Sequence, residues 1–412
     1  MRHLAAALFA GGLLAACGGD GDDRSAPGWV PTDVLVVDLD GDQLQDVLTL
    51  AMYDGGTGAD KRTGRLLVYL QTSPGAFAAP QEYAVGRYPR RMAVGDVDGD
   101  GAPDVVLVDS DDALTLLLRQ DAANRGRLLD PQELLAGVES HAVLLADLDG
   151  DGAPDIAVGD AVTQPGRLVV RYQDRDRPGA FGAPVDIPMP GAPTDLAAGD
   201  VDGDGRIDLF AWVVTSPAQS GRPLQGAMAL GFQQSDGAFE MFRTLDAREG
   251  LAAACLAVAD IDGDGLTDLF ASLSPSGAGF RGAFVSIRQL AFRAFAPAVD
   301  TPLEGLAGTA DAVLAKLGRG SLPEVGAVRT VPAAAPGGSA GSMASFYANA
   351  GGGQFSFRSS SELPVETGRV AAGDLNGDGR VDLVFLGSDN QAFAMHQSPT
   401  VAGSFDAARP LR

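Results

Sequence analysis

The sequence predicts an all-β fold, a seven-bladed β-propeller of four-stranded antiparallel blades over residues 29–412. Three observations carry that expectation. An aspartate-rich motif recurs along the chain, short apolar runs bounded by turn residues flank its copies, and no long stretch has the 3.6-residue period of an amphipathic helix.

The N-terminal segment stands apart. Met1, Arg2 and His3 precede an apolar stretch from Leu4 to Ala16 that is too short to span a bilayer and reads as a secretory signal over residues 1–16. Leu14-Ala15-Ala16-Cys17 resembles the bacterial lipobox, so Cys17 is expected to become the lipidated first residue of the mature chain. Residues 17–28 are Gly-, Asp- and Ser-rich and are expected to form a flexible tether. Gly18 follows the cysteine in place of the Asp that resembles an inner-membrane retention signal, which points to an exported protein anchored in the outer membrane.

The repeat begins at Asp38. It runs Asp38-Leu-Asp40-Gly-Asp42, Asp96-Val-Asp98-Gly-Asp100, Asp147-Leu-Asp149-Gly-Asp151, Asp200-Val-Asp202-Gly-Asp204, Asp260-Ile-Asp262-Gly-Asp264 and Asp374-Leu-Asn376-Gly-Asp378. A further aspartate follows at the ninth position: Asp46, Asp104, Asp155, Asp208, Asp268 and Asp382. Successive first aspartates lie 58, 51, 53, 60 and 114 residues apart, so the last step is double. Inside it, Val313 to Val328 keeps the apolar frame while the acidic positions become Lys316, Gly318 and Gly320. This is a seventh repeat with a degenerate loop, the sixth in chain order.

Each unit offers four strands. Apolar runs before and after the loop, such as Met92 to Gly95 and Val105 to Val108, read as buried strands. A third run follows, for example Arg167 to Tyr172 or Ala283 to Ile287, and in several units a Gly-Ala-Phe or Gly-Ser-Phe turn leads into a fourth strand. Radial repetition of such units leaves few exposed edges. The small residue before most loops, such as Gly95, Gly199 or Gly373, suits crowding near the axis.

Carboxylates at positions one, three, five and nine have one economical explanation, a hard cation held by oxygen. Glycines at positions four and six permit the unusual backbone angles of so tight a loop. Two carboxylates ~4 Å apart repel by about 4 kcal/mol at an effective dielectric near 20, a cost that a cation removes. Calcium, which accepts many ligands in flexible geometry, fits better than magnesium. An EF-hand is set aside because the twelfth position is Leu107 or Val158 and the flanks read as strands. Six calcium sites are expected, and none in the sixth repeat.

These residues resemble the FG-GAP or VCBS repeats of integrin α-chain propellers, fungal propeller lectins, bacterial surface proteins and some polysaccharide lyases. The resemblance covers residues 29–412 and implies calcium ligation by Asp96, Asp98, Asp100 and Asp104 and by their counterparts in the other intact loops. Loop one departs from it with Gln43 in place of glycine, and loop seven with Asn376, which loses a charge but keeps an oxygen ligand.

A formal charge of −24, with two lysines (Lys61 and Lys316), excludes nucleic acid as the natural partner. Cys255 sits in an apolar run and reads as a small core residue. His141 and His396 fall on separate blades and form no recognisable catalytic set, and Gly337 to Gly341 matches a nucleophile-elbow pattern without its strand-turn-helix setting. The expected function is therefore a binding or adhesion module for a glycan or protein. Polysaccharide cleavage on the same scaffold, or a structural part in an envelope assembly, is the alternative.

Overall fold

A computed structural model describes residues 28–55, 62–163, 165–219, 222–276, 280–303, 309–318, 320–331, 341–401 and 403–411. The signal segment, Cys17, nearly all of the tether and most of the Gly337–Gly341 string lie outside them. So does part of the second-to-third-strand connection in blades one, four, five and six.

Seven four-stranded antiparallel sheets follow one another in chain order, and the described residues contain no helix. Blade one comprises Gly28–Val37, Asp46–Asp54, Arg62–Tyr69 and Gln81–Ala84; blade two comprises Pro89–Gly95, Asp104–Asp109, Leu114–Leu118 and Gln132–Ala136. Blades three to seven open with Ser140–Ala146, Ala192–Gly199, Leu251–Ala259, Thr309–Ala315 and Thr367–Gly373. Each first strand packs against the first strands of its two neighbours, and that of blade seven packs against that of blade one. The ring is closed.

The second strands explain why the blades stack. Leu48, Leu50, Val105, Leu107, Phe210, Trp212, Phe270 and Phe385 are fully buried, because both faces of these strands meet neighbouring sheets. Small residues at the ends of the first strands are needed for the approach. A Cβ on Gly199 would lie 2.7 Å from Val258 of the next blade, and one on Gly373 would lie 2.4 Å from Val36 of blade one.

Closure takes place without exchange of strands, since every described blade is built from consecutive segments. Charged side chains occupy the joint instead. Asp311, Arg369, Asp33 and Arg91 alternate in sign over the first strands of blades six, seven, one and two. Asp311 accepts from Val370 N–H and Asp33 from Met92 N–H, each at 2.9 Å, while Arg369 and Arg91 both donate to the Thr32 carbonyl. Burial pushes the Asp33 carboxyl up to about 6. Cys255 is buried, with Sγ 3.6 Å from the Leu256 carbonyl, consistent with a core position.

Candidate metal centres

Each motif forms the turn between the first and second strands of its blade, where antiparallel pairing brings the two chain ends together. The loop builds itself from its own carboxylates. In blade two, Asp96 accepts from Gly99 N–H at 2.7 Å and from Gly101 N–H at 2.9 Å, and Asp100 accepts from Ala102 N–H at 2.8 Å. Both glycines have positive φ, 74° and 81°, which L side chains rarely adopt. Gln43 meets the same demand in blade one with φ 73° and donates its N–H to Asp38 at 2.9 Å, so this departure from glycine keeps the loop's geometry.

The ninth position is the anchor. Asp104 is buried at the start of the second strand, where one oxygen accepts from Val97 N–H at 3.0 Å and the other from Gln120 N–H at 2.8 Å. Asp46, Asp155, Asp208, Asp268 and Asp382 repeat this pair of bonds in their own blades. Burial outweighs these bonds and pushes Asp46 and Asp155 up to about 7, and Asp104, Asp208 and Asp268 up to about 6; nearby loop carboxylates add to the rise.

Carboxylate oxygens then converge. One oxygen from each of Asp96, Asp98 and Asp104 lies within 4.8 Å of the other two, and the sets Asp147/Asp149/Asp155, Asp200/Asp202/Asp208 and Asp260/Asp262/Asp268 do the same. In blade one the converging set is Asp38, Asp40 and Asp42. Asp98, a member of one such cluster, has a buried Oδ1 with no hydrogen-bond partner. A hard cation with oxygen preference fits these residues.

Blade seven is different. Among the described residues it forms no such triad, because Asn376 supplies an amide in place of a carboxylate and His396 Nδ1 lies 2.9 Å from Asp382 Oδ2. The pairing raises the His396 pKa. His396 thus has a structural contact with the loop, on the wall of an open cavity of about 430 Å³ beside Asn376 and Asp378.

In blade six, Glu324 occupies the ninth position and pairs with Arg358 from the fourth strand. Gly318 at position three makes room for this, since a Cβ there would sit 2.9 Å from the Glu324 carboxylate. A Cβ on Gly403, in the turn of blade seven, would meet Arg358 Nη1. The turn glycines Gly179 and Gly237 lie in the same way against Asp98 and Asp149 of the preceding blades. The guanidinium therefore stands at the inter-blade joint where the intact loops present a position-three carboxylate.

Two further sets of residues were not found from sequence. A glutamine lies two residues beyond the third strand in six blades, and the side-chain amides of Gln71, Gln120, Gln233 and Gln397 reach the loop of the preceding blade. Gln71 donates to the Leu375 carbonyl at 2.7 Å, Gln120 to Leu39 at 2.7 Å and Gln397 to Leu317 at 2.6 Å, each in the loop of the preceding blade. Asn349 does the same to Ile261 at 2.8 Å. The recurrence of Gln at 71, 120, 173, 233, 289 and 397 was the signal available. The second set is basic: Arg119 lies 3.3 Å from Asp98, Arg288 lies 3.1 Å from Asp262, and Arg293 pairs with Asp202. Arg293 takes a left-handed φ of 54° in the turn where other blades use glycine.

A family model for the FG-GAP-like repeat matches residues 38–107, 96–158, 147–211 and 333–385, together more than half of the chain. No curated protein matches. Among solved structures, a protein from Lactobacillus plantarum is similar in fold, with a TM-score of 0.50 at 12% identity over 89% of this chain and 96% of that one.

Proposed function

The chain belongs to the FG-GAP-like repeat family, and on that premise we propose that it is a calcium-stabilised propeller serving as a binding or adhesion module at the bacterial envelope. The observation that carries the cation is the convergence of carboxylate triads in five loops, with a buried unpartnered oxygen at Asp98. Calcium would be held by positions one, three, five and nine, including Asn376 in blade seven. There it would neutralise charge that otherwise destabilises the joint between blades. The ligand is a glycan or a protein, recognised on the rim or on loops outside the ring of first strands.

Export and lipidation at Cys17 complete the proposal, with the propeller held off the outer membrane by the tether. Glycan-array and pull-down screening of the full-length, detergent-solubilised protein, with calcium and with chelator, tests the binding role. Calcium-dependent retention of a defined ligand is the expected result, and no retention on either panel counts against it. Cys17→Ser is expected to release the protein from the membrane fraction or to leave its precursor uncleaved; fully processed, membrane-bound variant would defeat the anchor.

A further inference from the structure

The outer rim between blades two and three holds a cavity of about 210 Å³ lined by Leu117, Arg119, Glu133, Leu134, Arg171 and Phe181, among others. Arg171 is out of keeping with its place. It stands two residues before Gln173, where the other blades bury Tyr69, Leu118, Gly231, Ile287, Tyr347 and Met395, none of them charged. Its guanidinium donates only to backbone carbonyls: Gly182 at 3.0 Å, Phe181 at 3.1 Å, and Leu134. Among the described residues no carboxylate pairs with it, in a chain whose net charge is −24.

A part-buried cation without a counter-ion is unfavourable, and acidic side chains are abundant elsewhere in this protein. Three of the five N–H groups of Arg171 are used, which leaves two for a partner from outside. Arg119 brings a second guanidinium to the same cavity, tied to the Gly179 carbonyl at 2.9 Å. Leu117, Leu134 and Phe181 supply an apolar wall. The volume is below the roughly 300–1,000 Å³ of drug-sized sites, so the cavity suits one ring and not an oligomer.

We propose that this inter-blade cavity binds the carboxylate of a sugar acid, such as a uronic acid residue, with Arg171 as its anchoring cation and the apolar wall against the ring. The proposal rests on the reading of the propeller as a binding module and names its ligand class. Glu133 is exposed at the mouth and opposes an anion there.

Calorimetric titration of the full-length protein in calcium at low ionic strength tests this, with glucuronate, glucose and N-acetylglutamate amide as probes. Glucuronate is expected to bind at least tenfold more tightly than glucose, consistent with a charge-assisted bidentate contact. Arg171→Leu should remove that preference, with some loss of melting temperature because the Leu134, Phe181 and Gly182 carbonyls lose their donor. Glu133→Gln should tighten glucuronate binding by about threefold. Equal binding of glucuronate and glucose, or glucuronate binding untouched by Arg171→Leu, overturns the proposal. N-acetylglutamate amide binding as well as glucuronate overturns the assignment to a sugar. Should Arg171→Leu fail to fold, Glu133→Gln decides: unchanged affinity overturns the proposal. A melting temperature raised by calcium with no glucuronate binding sinks this site alone, whereas glucuronate binding with no calcium effect sinks the calcium-stabilised propeller and leaves the site.

Discussion

Loops two and six occupy equivalent joints of the ring and treat charge in opposite ways. Loop two gathers Asp96, Asp98 and Asp104 so closely that one buried oxygen is left without a partner. Loop six has lost its acidic positions one, three and five, keeps one carboxylate at Glu324, and meets it with Arg358. Loop six keeps the apolar frame of the repeat, and with loops one and seven it keeps an amide from the next blade on the carbonyl of the second loop residue: Gln397 on Leu317, Gln120 on Leu39 and Gln71 on Leu375. At loop six the chain's own guanidinium meets the single carboxylate, whereas at loop two Arg119 stands 3.3 Å from Asp98 and three carboxylates still converge, the place where a divalent cation is proposed.

Removing calcium should therefore have the largest effect. With a dissociation constant near 10⁻⁴ M, millimolar calcium stabilises the folded state by about 1.4 kcal/mol per site, and six sites contribute roughly 8 kcal/mol. Thermal unfolding in calcium and in excess chelator at matched ionic strength reads this directly; superimposable curves would make these loops ordinary turns.

Single residues sharpen the contrast. Asp104→Ala should cost about 3 kcal/mol even in chelator, because it leaves the buried N–H groups of Val97 and Gln120 unpaired, and about 1.4 kcal/mol more in calcium, where its share of the site is lost as well. Asp100→Ala should cost only its share of one site, about 1.4 kcal/mol, and only with calcium present. Urea unfolding of both variants under both conditions distinguishes them. Arg358→Met should destabilise by about 2 kcal/mol independently of calcium, since it strands Glu324 at a joint with no site to refill. A penalty for this variant that disappears in chelator would mean that loop six binds metal after all.

A further expected effect is on pH dependence. Without metal, burial pushes Asp104, Asp208 and Asp268 up to about 6 and Asp46 and Asp155 up to about 7 in the folded protein, against about 3.9 when unfolded. The folded state then binds more protons across that window, so these groups favour folding below pH 4, and that contribution is lost as pH rises through 7. In chelator the melting temperature should fall between pH 5 and 8. In calcium, which needs the ionised carboxylates, the trend should reverse.

The blades and the converging loop carboxylates were legible because both are written as local repeats. Short apolar runs bounded by turn residues mark strands, and aspartates on alternate residues of one turn converge. The third strands expected from sequence agree with Arg167–Arg171 and Ala283–Ile287 to within a residue. What escaped was non-local. The Gln120 stitch spans 81 residues and the Arg293–Asp202 pair spans 91, and no periodicity within one repeat announces which blade a side chain will reach. Arg358 was hidden for the same reason: its partner Glu324 lies 34 residues away on another strand of the same sheet.

The most direct test is a calcium anomalous-scattering map of the crystallised protein. Density is expected within the loops beginning at Asp38, Asp96, Asp147, Asp200, Asp260 and Asp374, and none between Lys316 and Glu324. A fully coordinated ion in that sixth loop, or no ion in the loops that gather carboxylates, would contradict the calcium assignment.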